Sequence, residues 1–148
     1  MGDSHGLVYG YINLGLLYIE TESPDQALYY LEKAQKQTTL TGDEVYLGKI
    51  YLNMGVAYRT NGEPIQAETY ARKAEKFFRR FLNLEELAKV WQNLGLACLD
   101  QRKWKEAYQY LEQSLAIRRK WNYQYDEMLS CIKSCPPRAL QKVIPPAR

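Results

Sequence analysis

The sequence has few of the residues that build metal sites and disulfide frameworks. Its 148 residues include three cysteines and one histidine, and no Cys-x-x-Cys pair occurs. An odd number of cysteines without ligand partners argues against both kinds of site, so we expect reduced thiols and no metal or other cofactor. Cys131 and Cys135, four residues apart, are interpreted as part of an apolar helical stripe.

The sequence also lacks a long apolar run and a strong excess of charge. Its apolar runs fall short of the ~18 residues that a membrane span needs, and its start lacks the regions of a signal peptide, which predicts a cytoplasmic protein. A net charge of +3 is too small to indicate nucleic-acid binding by itself. One histidine and scattered acids do not assemble a nucleophile with a base, so we predict no enzyme.

What the sequence does contain is a repeat with a period of forty residues. The segments INLGLLY (12–18), LNMGVAY (52–58) and QNLGLAC (92–98) align with one another. The agreement extends to further positions in the same register, which are Ala27, Ala67 and Ala107; Tyr30, Tyr70 and Tyr110; and Ala34, Ala74 and Ser114. Self-similarity at a fixed period predicts an array of stacked units.

Each unit has the pattern of a helical hairpin. In the second unit, the residues with the spacing of one helical face are Tyr51, Met54, Gly55 and Tyr58. A glycine costs roughly 1 kcal/mol inside a helix, and we interpret Gly55 as a point where a neighbouring helix approaches closely. RTNGEP (59–64) then predicts a turn, with Pro64 beginning a second helix.

The junctions of the other units follow the same plan. We predict Ser23 as an N-cap with Gln26 as its capping-box partner, and Gly42 as the end of the first unit. Asn83 is predicted as a turn residue, and Trp104 takes the place held by proline in units one and two.

The motif resembles the tetratricopeptide repeat. The residues that carry this resemblance are Leu14, Gly15, Tyr18, Ala27 and Ala34; Met54, Gly55, Tyr58, Ala67 and Ala74; and Leu94, Gly95, Ala107 and Trp91. The chain departs from the family in its period of forty instead of ~34 residues, in a missing proline after each second helix and in Cys98, which replaces a tyrosine. The forty-residue variant is similar to repeats of kinesin light chains, spindle-orientation adaptors and bacterial signalling ATPases.

We therefore predict an all-α fold, a right-handed superhelix of three hairpins with a C-terminal capping helix. The predicted boundaries are a flexible N-terminus (1–6), a repeat domain (7–135) with units 7–42, 43–82 and 84–122, a capping helix (123–135) and a basic, proline-rich, disordered tail (136–148).

The first helices of the units are expected to line a concave groove that binds a peptide or protein. The candidate groove residues are Asn13, Asn53, Asn93, Lys49, Lys89, Leu16, Val56 and Leu96. An amide can donate to and accept from the main chain of an extended peptide, and the resemblance to light-chain and adaptor repeats implies this role for the three asparagines. In the alternative interpretation, each asparagine bonds to a neighbouring helix across the repeat interface.

The resemblance also argues against one kind of ligand. Chaperone-binding members of the family hold a terminal carboxylate with a clamp of cationic and amide side chains. Asn53 and Lys89 match that clamp, but Ile12, Leu16 and Asn93 replace its other members. We therefore expect apolar anchors, with Ile12 and Leu16 among the apolar spots of the groove.

Two alternative functions remain open from the sequence. The first is a homo-oligomerisation module of a larger signalling protein, because end helices of a repeat array expose apolar residues. Alternatively, the basic and aromatic clusters at 71–81 and 116–121 favour RNA binding, although cations near helix C-termini also complement the helix dipole. We expect a protein or peptide partner, neither membrane nor nucleic acid.

Overall fold

The computed structural model describes residues 4–42 and 44–120, which form an all-helical array. Its α-helices are α1 (Ser4–Glu20), α2 (Pro24–Thr41), α3 (Leu47–Thr60), α4 (Pro64–Arg80), α5 (Leu84–Asp100) and α6 (Trp104–Lys120), with a turn of 3₁₀ helix (Glu44–Tyr46) before α3. The length of these helices accommodates a repeat of forty residues instead of the usual ~34. The predicted capping helix and tail, at 123–148, lie outside the described residues.

The helices pair into the three predicted hairpins. Within each unit the first and second helices pack along each other, and α2 packs on α3 as α4 packs on α5. The hairpin prediction is therefore confirmed.

Among the residues described, none of the helices combines the length and apolar character that crossing a membrane requires.

The helices end in a recurring backbone motif. At the hairpin turns, Ser23 N–H donates to the Tyr18 carbonyl (2.8 Å) and Glu63 N–H to the Tyr58 carbonyl (2.9 Å), the six-to-one bond of a Schellman motif. The same bond recurs from Asn83 N–H to the Phe78 carbonyl (3.0 Å) and from Lys103 N–H to the Cys98 carbonyl (2.9 Å). The residue before each of these four donors is left-handed, namely Glu22, Gly62, Leu82 and Arg102. The turn backbone itself therefore satisfies carbonyls at the ends of the helices.

The predicted capping box at Ser23 is wrong. Ser23 does precede α2, but its side chain makes no capping bond and its hydroxyl instead donates to the Thr21 carbonyl (3.5 Å). The Ser23 backbone, with φ −117° and ψ 70°, matches that of Glu63 at the next hairpin, which indicates that the turn motif sets this junction. Asn83 does more than turn the chain, because its Oδ1 accepts from Glu86 N–H (3.2 Å) as an N-cap.

Replacing Leu82 with glycine should stabilise the fold. Leu82 has φ +52° and is 81% exposed, so the change relieves a disfavoured backbone conformation without loss of packing. We expect the free energy of unfolding to rise by about 0.5–1 kcal/mol, measured by urea denaturation. Leu40, which is 80% exposed within α2, is the matched control: Leu40→Gly should lower stability by up to about 1 kcal/mol. Equal effects at the two sites would contradict the prediction.

Inside the hairpins, the motif glycines allow the close approach of the partner helix that was predicted, and at two of them a leucine side chain fills the space. A Cβ added at Gly15 would lie 2.8 Å from Leu31 atoms, and one at Gly95 would lie 2.6 Å from Leu111 Cγ. In unit two the second helix carries alanine at this position, and the Gly55 hole instead faces the Ala67 carbonyl oxygen (3.2 Å). Each glycine permits an approach that a side chain would block.

A polar network joins units two and three where Cys98 replaces the family's tyrosine. In units one and two that tyrosine stacks on a second-helix tyrosine, as Tyr58 does on Tyr70 (ring centroids 5.1 Å apart). In unit three, Tyr110 instead receives a hydrogen bond from Arg72 (2.9 Å). Arg72 also donates to Glu68 (2.8 Å), which accepts from two residues of the next unit, Gln101 (2.7 Å) and Lys103 (3.1 Å).

Candidate functional site

A cleft of about 310 Å³ opens where the first helices of all three units lie side by side. Its lining residues are Tyr9, Ile12, Asn13 and Leu16 from α1, Lys49, Leu52 and Asn53 from α3, and Glu86 and Lys89 from α5. The helical spacing of these residues places one stripe of each helix toward the cleft. The cleft therefore crosses the boundaries between units.

Five of the eight candidate groove residues line this cleft, namely Asn13, Leu16, Lys49, Asn53 and Lys89. The other three, Val56, Asn93 and Leu96, are half-buried and continue the same helical faces toward the C-terminal ends of α3 and α5. The five lining residues thus meet in the cleft itself, whereas the other three candidates extend the same surface beyond it.

The amide side chains of Asn13, Asn53 and Asn93 make no hydrogen bond to any other residue in the described part of the chain. The alternative interpretation, in which each asparagine bonds to a neighbouring helix, is therefore not realised among residues 4–42 and 44–120. Asn13 is exposed and the other two are half-buried. Their donors and acceptors remain available at the surface.

The two lysines that line the cleft differ in their ion pairing. Lys89 Nζ lies 3.2 Å from the Glu86 carboxylate, whereas Lys49 has no ion pair within the described residues. Farther along α5, Asp100 pairs with Arg59 of α3 (2.8 Å), which ties two units together. The charge left without a partner in the cleft is thus the ammonium of Lys49.

The floor of the cleft is apolar, and sequence reasoning missed part of it. Ile12 was expected as a groove anchor, but only 4% of its surface is exposed because it packs in the core between units one and two. Leu52, which is also buried, completes the floor and was missed, as was Glu86 at the rim. The spacing of Glu86, three residues before Lys89, could have indicated its place.

A cluster of potential metal ligands lies away from the cleft. One ligand atom each of Glu68, Cys98 and Glu106 lies within 4.8 Å of the others. Burial raises the pKa of the Cys98 thiol to about 11, and the Glu68 carboxylate is already held by the polar network described above. The thiol is therefore protonated and the carboxylate engaged at neutral pH, and we propose no metal there.

The basic cluster of α4 is largely paired with acids. Arg72 contacts Glu68, Arg79 lies 3.8 Å from Glu75, and Arg80 lies 3.4 Å from Glu44. Arg79, Arg80 and the basic residues that end α6 occupy last turns, where cations complement the helix dipole. These contacts reduce the positive charge that α4 offers to a nucleic acid, and RNA binding stays an untested alternative.

Comparison with known proteins agrees with this architecture. A family model described as tetratricopeptide repeat matches residues 46–120, more than half of the chain, and a second model of the same description matches residues 8–37. No curated protein sequence matches the chain.

Among solved structures, the chain is similar to the Sgt2 TPR domain from Aspergillus fumigatus, with a TM-score of 0.68 and 19% identity. The alignment covers 100% of this chain and 88% of that one, and at this identity the likeness concerns the fold. Together with the forty-residue motif and the three stacked hairpins, the family matches show that the chain belongs to the tetratricopeptide repeat family.

Proposed function

We propose that this protein is a non-catalytic scaffold that binds a peptide segment of another protein along the cleft formed by α1, α3 and α5. One observation carries the proposal: a single cleft is lined by residues from all three units, including two of the three repeated asparagines. A ligand that crosses every unit is best matched by an extended chain, since its backbone repeats along its length as the array does.

In the proposed complex, Asn13, Asn53 and Asn93 hold the peptide main chain through their amides. The exposed Leu16 and the half-buried Val56 and Leu96 contact apolar side chains of the ligand. Membership of the family supports a protein partner in general, and the amide row supplies the particular mode of binding.

The charge of the cleft narrows the class of ligand. Lys49 has no ion pair with a described residue, so an acidic side chain of the ligand placed beside it would complete a pair at the rim. We therefore propose a ligand with apolar anchors and at least one acidic residue. A cytoplasmic location and the absence of catalysis are part of the same proposal.

The test is a peptide-display screen against the full chain, followed by fluorescence anisotropy with the selected peptides. Asn53→Ala together with Asn93→Ala should weaken binding by roughly tenfold or more, since each lost amide contact is worth about 0.5–1.5 kcal/mol. The double variant should remain helical by circular dichroism because neither amide bonds to another described residue.

Gln113→Ala provides a matched control. Gln113 is an exposed amide on α6, outside the cleft, and should leave the affinity unchanged. If the Asn53/Asn93 variant stays folded and binds the selected peptides as tightly as the wild type, the proposed mode is wrong. If no peptide is selected at all, the proposed function fails with it.

A further inference from the structure

A second surface lies on α1, on the side away from the core. Leu7, Gly10, Leu14 and Leu17 fall within an arc of about 80° centred opposite the buried Ile12, at 100° per residue. All four are exposed, and Leu14 exposes 37% of its surface. We call these four residues the α1 stripe.

The repeat shows what kind of contact the α1 stripe is built for. Its counterparts on α3 include Ile50, Met54 and Ala57, all of which are buried, and the counterparts on α5 are buried as well. Those faces pack on the second helix of the unit before them, as α3 does on α2. In the described residues no helix covers the α1 stripe, although it has the composition of an interface between helices.

Gly10 leaves an open space in the middle of the α1 stripe. A Cβ placed on Gly10 would meet no atom within 4 Å, so this glycine has no packing role in the described chain. Gly15 and Gly95, in contrast, each receive a leucine side chain from the neighbouring helix. Gly10, which lies among three exposed leucines, therefore offers the same kind of space for a side chain, but no described side chain fills it.

The α1 stripe can supply that knob to a second copy of itself. Its four positions are symmetric about residue 12, so two antiparallel α1 helices would set Leu14 of each copy over Gly10 of the other and Leu7 against Leu17. This arrangement is isologous, as a twofold dimer requires. A parallel pair would set Gly10 against Gly10 and leave both holes empty.

Charge also favours the antiparallel orientation. α1 has no acidic residue in its first turn and no basic residue in its last turn, where Glu20 instead lies at the negative end of the helix dipole. In the antiparallel pair, Glu20 of each copy approaches the positive N-terminal end of the other α1. The unfavourable charge of one copy thereby becomes a favourable charge for its partner.

We propose that the protein forms a twofold dimer through antiparallel pairing of the α1 stripe. The surface is separate from the cleft, which uses Tyr9, Asn13 and Leu16 on another side of α1. A dimer would thus carry two peptide grooves. Because each copy contributes only one helix, the interface is small and the dimer dissociates reversibly.

Sedimentation velocity of the full chain over a concentration series tests the dimer. We expect the fraction of dimer to rise as the protein concentration increases from about 5 to 500 µM. Dissociation constants in this range are typical of interfaces at the small end of the known sizes. Leu14→Glu should weaken dimerisation at least about tenfold, because it sets a charge over the apolar hole. Leu16→Glu is the matched control, since Leu16 is equally exposed (39%) on the same helix but faces the cleft.

A wild type that stays monomeric throughout this range overturns the proposal, as does a Leu14→Glu variant that dimerises normally. Loss of the dimer in Leu16→Glu alone would place the contact in the cleft and also overturn it. Circular dichroism verifies the fold, and Leu17→Glu replaces Leu14→Glu if that variant unfolds. These outcomes are independent of peptide binding.

Disulfide trapping tests the orientation in a background with Cys131→Ser and Cys135→Ser, in which the buried Cys98 is kept. A mixture of Leu7→Cys and Leu17→Cys chains should cross-link far more than either chain alone. Preferential cross-linking of Leu7→Cys with itself would overturn the antiparallel arrangement.

Discussion

Truncation of Leu111 to alanine should lower the free energy of unfolding by about 2–5 kcal/mol, the range for a fully buried leucine. Leu111 has no exposed surface and its side chain fills the hole above Gly95. The loss has two parts, the removal of apolar surface from the core and the cavity that remains between α5 and α6. Urea denaturation followed by circular dichroism measures it.

The two residues should also be energetically coupled. Gly95→Ala alone would force its new Cβ against Leu111, and this overpacking should lower the free energy of unfolding by about 1–3 kcal/mol. The higher helix propensity of alanine offsets ~1 kcal/mol of that loss. Leu111→Ala removes the clash with the leucine and leaves only the Ala107 carbonyl oxygen close by (3.3 Å), so Gly95→Ala should cost less in that background than in the wild type. Strictly additive changes in the double-mutant cycle would show that the close contact carries no energy.

Acid should weaken the junction between units two and three through Glu68. Although burial opposes its charge, hydrogen bonds from Arg72, Gln101 and Lys103 hold the pKa of this carboxyl at about 2, below its ordinary value of 4.5. A lowered pKa means that the ionised form is stabilised in the folded state. The contribution is therefore complete above about pH 5 and is lost as the pH falls from 4.5 to about 2.

Glu68→Gln tests this expectation. At pH 7 the variant should be less stable by about 1–3 kcal/mol, a range reduced for the solvent exposure of Arg72 and Lys103. The difference between wild type and variant should shrink between pH 5 and pH 2, because the wild type loses the same charge. Glu32→Gln, an exposed carboxylate on α2 with no ion pair in the described chain, is the control. A difference that stays constant with pH would contradict the assignment.

Local sequence signals were sufficient for the hairpins because they act over short distances. Pro64 and the Asn61–Gly62 turn lie at the boundary of α3 and α4, and Gly42 ends α2 in the left-handed conformation, as predicted. Ser23 occupies the predicted N-cap position, but the capping box predicted there was wrong. A capping-box pattern describes side chains alone, whereas the preceding Schellman turn decides the backbone geometry at that junction.

The groove could be predicted only in part. Helical periodicity identified the cleft-lining faces of α1, α3 and α5, so Asn13, Lys49 and Asn53 were among the candidates. It predicted Ile12 as an apolar spot of the groove but revealed neither Leu52 nor the burial of these two residues, which the packing of the units determines. Glu86 was missed although it lines the cleft itself and pairs with Lys89 three residues later.

The sequence by itself determined the family, the three hairpins and the turns at Gly42 and Asn61–Gly62, since periodicity and turn chemistry are properties of contiguous residues. Only the tertiary structure decided that Glu68 joins two units, that the side-chain amides of the repeated asparagines make no hydrogen bond within the described chain and that no described helix covers the α1 stripe. Each of these depends on which helix packs beside which, and side chains separated by thirty residues or more meet only when the units stack.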